Sequence, residues 1–139
     1  MTISAAQLAD DSFKTIISAS GVGNETKGVL LDAAELTGAT ASPNLSIANI
    51  HYEILGSGNL TFYFDAETDE EAKIISGRGN YGLKPDEGKI KQGDTGDTLV
   101  NPTGDVLVST ASTITSYKLV VELHKEKGFS IWKYQTKQQ

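Results

Sequence analysis

The residues that could carry catalysis or hold a metal are few and scattered in this chain. The two histidines, His51 and His124, each fall on the polar side of an alternating apolar and polar pattern, which predicts surface imidazoles. A zinc site would need further ligands from scattered carboxylates, which the sequence does not specify. The chain has no Cys, so thiolate metal sites and a Cys nucleophile are excluded. We therefore predict no catalytic, cofactor or metal residues and no enzyme; a Ser–His–Asp hydrolase, without a G-x-S-x-G motif, is the weakest alternative.

Two motif-like segments have simpler interpretations. Residues Gly77 to Gly82 match G-x-G-x-x-G, but Leu83, Lys84 and Pro85 follow, which cannot open the helix that a dinucleotide site needs. We predict a glycine-rich turn after a strand, with Tyr81 packing back on the fold and Arg78 available to a carboxylate. The acidic run from residue 65 to 71 fails as an EF-hand, because its sixth position is Glu rather than Gly. It is predicted to be a solvated loop.

The elements that would position these residues are short strands. Period-2 alternation is clearest at residues 117–124 and recurs at 60–64 and 50–54. The alternation of Leu45 and Ile47 has the opposite phase, so Ala48 and Asn49 mark a bulge or a bend between sheets. Residues 56–59 are predicted to form a tight hairpin loop. Weaker strands are expected at 13–19, 29–32, 73–76, 105–110 and 129–134.

Eight evenly spaced strands predict an all-β, single-domain antiparallel β-sandwich, jelly-roll-like, with little helix beyond one turn at 31–36. We expect a flexible N-terminal arm over 1–11, the sandwich over 12–134 and a C-terminal tail over 135–139. Residues 77–104 are the least regular stretch, and both a functional loop and a solvated surface loop fit it.

The charge of the chain limits its partners. Eighteen acidic and 12 basic side chains give a net charge of −6, which argues against nucleic-acid binding, and no apolar run is long enough for a membrane helix. From Lys118 onward five lysines accompany two glutamates, a local balance of +3 that leaves −9 on the rest. This basic, aromatic end, which includes Trp132, suits docking on an acidic protein surface, and a merely solubilising tail fits it equally.

Several stretches, taken in order, resemble small virion structural proteins of tailed phages, particularly cyanophage-like marine phages. They are residues 13–21, 28–33, 50–54, 60–65, 76–82 and 115–123. The resemblance implies a compact β-sandwich that decorates or cements the capsid exterior, and it brings no catalytic residues. It also implies that the partner is the phage major capsid protein and that the chain self-associates, for example as a trimer. The protein would be assembled in the host cytoplasm and located on the virion.

In such proteins a terminal arm often adds a strand to a capsid edge, which would correspond here to Met1–Asp11. We predict partner contacts in this arm and in the glycine-rich and C-terminal segments, at Ile3, Leu8, Arg78, Asn80, Tyr81 and Trp132. The alternative is a carbohydrate- or receptor-binding module of a phage tail or fibre. Its sugar-stacking platforms would be Tyr63, Tyr81 or Trp132.

Overall fold

A computed structural model describes residues 3–11, 13–22, 26–40, 43–84, 87–91, 102–111, 113–126 and 129. Ten strands and one 3-10 turn form within these ranges. In chain order they are β1 (Ser4–Asp10), β2 (Lys14–Gly21), β3 (Gly28–Leu31), the 3-10 turn (Ala33–Glu35), β4 (Leu45–Gly56), β5 (Leu60–Phe64), β6 (Glu70–Ile75), β7 (Arg78–Tyr81), β8 (Ile90–Lys91), β9 (Val106–Thr110) and β10 (Ile114–Lys125).

The strands form two antiparallel sheets. The first sheet has the order β1-β2-β10-β4-β7, with the short β8 also paired to β4, and the second has the order β3-β9-β5-β6. Neighbours in each sheet are mostly distant in sequence, since β2 lies beside β10 and β3 beside β9. The expected all-β sandwich is therefore confirmed, with ten strands in place of about eight.

The core lies between the sheets and follows the predicted alternation. On β10 the side chains of Tyr117, Leu119, Val121 and Leu123 are buried, whereas Val120 points away and is exposed. On β5, Leu60, Phe62 and Phe64 have no exposed surface. Because successive side chains of a strand point to opposite faces, each sheet gives one apolar face to the core and keeps one mainly polar face outside.

The predicted irregularity in β4 is a β-bulge. Glu122 of β10 lies opposite Asn49 and Leu123 lies opposite Ile47, so Ala48 has no partner in the ladder. Gly82 packs against this bulge with a φ of +106°, and a Cβ built there would lie 2.2 Å from the carbonyl oxygen of Ala48. The bulge changes the phase of β4, which lets both halves bury their apolar side chains.

The predicted hairpin at residues 56–59 is wrong. Strands β4 and β5, which this loop joins, belong to different sheets, so the loop is an arch between layers. It lies beside the β9–β10 connection, where Ser57 N donates to Thr113 O and Ala111 N donates to Asn59 O. Alternation identifies which face of a strand is apolar but not which strand is its neighbour, so the local pattern could not separate an arch from a hairpin.

The first residues differ from the expected flexible arm. Residues Ser4–Asp10 form strand β1 at the edge of the first sheet and pair antiparallel with β2 from Ser20 to Thr15. This segment is rich in Ala and has weak β-propensity of its own. The unpaired edge of β2, together with contacts at the end of β1, orders it.

The glycine-rich segment also differs from expectation. Arg78–Tyr81 is strand β7, paired with β4, rather than a turn. Gly79 permits this pairing because the hydroxyl of Tyr52 occupies the space where a Cβ would lie. The helical turn expected near residues 31–36 is the 3-10 turn, in which the Asp32 side chain accepts from the amide of Ala34. In the expected last strand, Phe129 pairs with Ala39, and residues 130–134 lie outside the described ranges.

Candidate functional site

The outer face of the first sheet gathers polar side chains from four strands. Val120 of β10 pairs with Ser18 and with His51, and His51 pairs with Asn80. A parallel row runs through Ser20, Lys118, Glu53 and Arg78. Because residues opposite each other in a ladder point to one side, the sheet places imidazole, amide, carboxylate and guanidinium groups side by side. Both histidines lie on this face, as predicted.

Arg78 and Asn80 are the predicted contact residues that this face brings together. The Arg78 side chain is largely exposed and its Nε lies 3.4 Å from a carboxylate oxygen of Glu53. The Asn80 side chain is half-buried and donates to Oδ1 of Asn49 at 3.1 Å. An exposed ion pair of this kind contributes little to stability, so the Arg78 guanidinium is free to exchange Glu53 for an external carboxylate.

The other predicted contact residues lie elsewhere. Ile3 and Tyr81 are partly buried and pack against the core, so they are poorly placed as contact residues. Leu8 sits in a bulge of β1 and is 61% exposed. Trp132 lies outside the described residues.

The edge formed by β1 is a second candidate surface. Asp11 N donates to Lys14 O, and Lys125 N donates to Phe13 O. The backbone of Lys14 therefore faces β1 and that of Phe13 faces β10, and the residues of β2 continue this alternation. By the alternation of an antiparallel ladder, Ser18 and Ser20 bond to β1, and the N–H and C=O of Ala5 point to the free edge. Among the described residues no strand pairs with this outer edge, which leaves it available to another strand.

A cleft of about 180 Å³ lies along the same edge, between the two sheets. Its floor contains the buried side chains of Ile17, Leu30 and Leu36, and its walls include Ala5 and Glu35. The cleft can take one apolar side chain from a strand added at β1. The carboxylates of Asp32 and Glu35 at its margin favour a basic neighbour on that strand.

The far end of β1 is held by a buried lysine. The Lys125 side chain is 1% exposed, and its ammonium lies 2.6 Å from Oδ1 of Asp10. It also donates to the carbonyl oxygens of Asp11 and Thr37, at 2.6 Å and 2.8 Å. Burial by itself raises the pKa of Asp10, but hydrogen bonds from Lys125 and Thr37 outweigh it and hold that pKa below 3.8.

A groove of about 310 Å³ opens on the outer face at the β1–β2 turn, lined by Asp11, Phe13, Lys14, Glu122 and His124. Phe13, one residue before β2, is 55% exposed. Nε2 of His124 lies 2.7 Å from a Glu122 oxygen, and Lys14 is the cross-strand partner of His124. The groove thus combines one aromatic ring with several hydrogen-bonding groups.

The tyrosines expected as sugar platforms are covered by lysines. The ammonium of Lys27 lies 4.9 Å from the centre of the Tyr63 ring, and that of Lys73 lies 4.5 Å from the centre of the Tyr81 ring. Lys27 is further held by Asp69 at 3.1 Å. One face of each ring is therefore engaged in a cation–π contact within the fold.

The acidic run is more structured than the predicted solvated loop. Asp69 accepts from the amide of Ala66, Asp65 accepts from the hydroxyl of Thr103, and Glu70 is buried at the start of β6. Burial raises the pKa of Asp69, but the Ala66 amide and the Lys27 ammonium outweigh it and lower that pKa overall. Glu67 and Thr68 are exposed, as expected of a solvated loop, whereas Asp69 and Glu70 are held within the fold, so the run is only partly solvated.

A second group of carboxylates lies at the start of β9. Oδ1 of Asp105 accepts from the amide of Ala33 at 2.8 Å. Burial raises the pKa of Asp105, the negative charges of Asp32 and Asp65 raise it further, and the Ala33 amide opposes them. Within the described part of the chain, no three His, Asp or Glu side chains are arranged to hold a metal ion.

Sequence reasoning missed Phe13 and the edge of β1 as surface features. Phe13 begins an apolar run and was expected to belong to a strand, but it precedes β2 by one residue and lies in the turn after Asp11. The Asp11–Ser12 pair before it is the signal that could have identified that turn, because Asp accepts bonds from amides two residues on.

Comparisons with known proteins identify no family for the chain. No family model matches it, and no curated protein has significant similarity to it. Among solved structures, a carbohydrate binding module of family 29 is similar at a TM-score of 0.38 and 9% identity, over 90% of each chain. Within the described ranges, no helix has the length and apolar character to cross a membrane.

Proposed function

We propose that this chain is a non-enzymatic structural protein of a phage particle, a capsid decoration protein that binds the outside of the head and stabilises it. The observation that carries the proposal is the outer edge of β1, with which no described strand pairs, on a two-sheet sandwich beside a cleft with an apolar floor. The sequence resemblance supports the phage particle as the setting. Assembly in the host cytoplasm and location on the capsid surface belong to the same proposal.

The proposed mode of attachment is strand addition. The expected arrangement was that the N-terminal arm adds a strand to the capsid, whereas here the capsid protein adds a strand to β1. Residues Ser4–Asp10 are already paired with β2, so this segment offers its outer edge to a strand of the major capsid protein. The backbone of Ala5 would pair with that strand, and one apolar side chain would enter the cleft above Ile17 and Leu30. Weak individual contacts suffice when many copies, or a self-associated trimer, bind one capsid.

Proline substitution at the edge tests the proposal. Ala5→Pro removes the outward N–H while leaving the Ser4 and Ala6 bonds to β2, so the fold is retained and capsid binding is lost. Ala5→Val keeps the N–H and serves as the matched control. Binding to undecorated capsids of the parent phage is measured by co-sedimentation across a concentration series, and circular dichroism verifies folding.

If Ala5→Pro saturates capsids with the same midpoint as the native chain, the β1 edge is not the attachment site. If the native chain binds isolated tails or fibres and not capsids, the chain is a tail module instead. The alternative of a sugar-binding tail module loses two of its expected platforms, since Tyr63 and Tyr81 are covered by lysines.

A further inference from the structure

We propose that the groove at Phe13 is a binding site for a single neutral pyranose ring, independent of the capsid contact at β1. A sugar ring presents one face of C–H bonds and an edge of hydroxyl groups. A site for it needs an exposed apolar platform and a few fixed donors and acceptors beside it. The groove at Phe13 has both.

The platform is held in place by its backbone. Phe13 N donates to Oδ1 of Asp11 at 2.8 Å, and Phe13 O accepts from Lys125 N at 2.7 Å. The ring is therefore presented on a fixed turn rather than on a loose loop, which lowers the entropic cost of binding. Unlike the rings of Tyr63 and Tyr81, it has no lysine ammonium across its face among the described cation–π contacts.

The polar groups line the same groove as the ring. Glu122 and His124 are two residues apart on β10 and share the outer face, joined at 2.7 Å. One carboxylate oxygen of Glu122 takes that contact, which leaves the second as an acceptor for a hydroxyl. Lys14, opposite His124 on β2, supplies donors. Both a donor and an acceptor are thus available to adjacent sugar hydroxyls.

Charge and size select the class of ligand. Two carboxylates line the groove beside one lysine, on a chain of net charge −6, so a phosphate or another anion is disfavoured. The volume of about 310 Å³ is at the lower end for ligand sites and fits one ring rather than an extended polymer. A neutral polyhydroxyl ring satisfies both conditions.

The test uses saturation-transfer NMR with the methyl glycosides of glucose, galactose, mannose and N-acetylglucosamine. We expect at least one to receive magnetisation from the native chain, with a Kd on the order of 1 mM for so small a ligand. Phe13→Ala should weaken it about tenfold or more, and Phe13→Trp should retain it, because the stacking face is lost in one and kept in the other. Val29→Ala, an exposed apolar position on the other sheet, is the matched control and should leave the Kd unchanged.

Absence of transfer to all four glycosides on the native chain overturns the proposal, as does an unchanged Kd in Phe13→Ala. Capsid binding by Phe13→Ala is measured in parallel. A loss of capsid binding without any sugar signal would identify the groove as a protein contact, whereas loss of sugar binding with normal capsid binding supports a separate site.

Discussion

The ammonium of Lys125 lies 2.6 Å from Oδ1 of Asp10 and joins the last residue of β10 to the last residue of β1. The Lys125 side chain is 1% exposed, and its ammonium also donates to the carbonyl oxygens of Asp11 and Thr37. Three segments that are distant in sequence therefore meet at one charge. This contact explains why a segment of weak β-propensity is ordered as β1.

Replacing the lysine should destabilise the whole fold. Lys125→Met leaves Oδ1 of Asp10 and two carbonyl oxygens without their donor, while Thr37 N still donates to Oδ2 of Asp10. We expect a cost of about 3–5 kcal/mol in the free energy of unfolding. Lys118→Met, an exposed position on the same strand, should change it by less than about 0.5 kcal/mol. Urea unfolding followed by circular dichroism measures both. Equal midpoints for the two variants would contradict a structural role for the buried ion pair.

Stability should fall on acidification, and Asp10 should contribute to that fall. The folded pKa of Asp10 lies below its ordinary value of 3.8, so its contribution is complete above about pH 5 and is lost as the pH falls through the folded pKa. Glu126, whose pKa is raised by burial but lowered more by Ser46 and Lys89, acts in the same direction. Asp10→Asn should reduce the free energy of unfolding at pH 7 and flatten its slope between pH 5 and pH 3. Parallel pH profiles for Asp10→Asn and the native chain would show that Asp10 does not titrate as described.

The charge of Asp105 should destabilise the fold, in contrast to that of Asp10. Its pKa is raised by burial and by Asp32 and Asp65, so its negative charge opposes folding near neutral pH. Asp105→Asn keeps an acceptor for the Ala33 amide and removes the charge, and it should equal or exceed the native melting temperature at pH 7. Asp105→Ala loses that hydrogen bond and should cost about 1–3 kcal/mol. The melting temperatures of the two variants are compared. If Asp105→Asn melts at the same temperature as Asp105→Ala, removing the charge of Asp105 relieves no repulsion.

Gly82 should tolerate no side chain. Its φ of +106° and the Ala48 oxygen 2.2 Å from a built Cβ predict that Gly82→Ala costs about 1–3 kcal/mol. Gly88→Ala, where nothing lies within 4 Å of a built Cβ, should be nearly neutral. Chemical denaturation of the two variants measures the difference. Similar values would mean that β7 shifts away from the bulge at little cost.

Much of the secondary structure could be predicted from local pattern. Alternation at Tyr117–Leu123 and Leu60–Phe64 reflects the direct coupling between side-chain direction and burial in a strand, and the phase change at Ala48 predicted the bulge. Strands β1 and β7 were not predicted by local pattern. Strand β1 is rich in Ala, and β7 has only four residues, including Gly79, so their pairing depends on the neighbouring strands β2 and β4.

The sequence by itself determined that this is an all-β chain, which residues of the main strands face inward, and that its histidines lie on the surface, because each follows from the period of a strand. Only the tertiary structure decided that Gly56–Asn59 is an arch, that β1 lies at a sheet edge, and that Phe13 meets Glu122 and His124 in one groove. The groove exists because β2 lies beside β10, across about 100 residues of chain. Strand partners at such separation are selected by the packing of both sheets together, which no local pattern records.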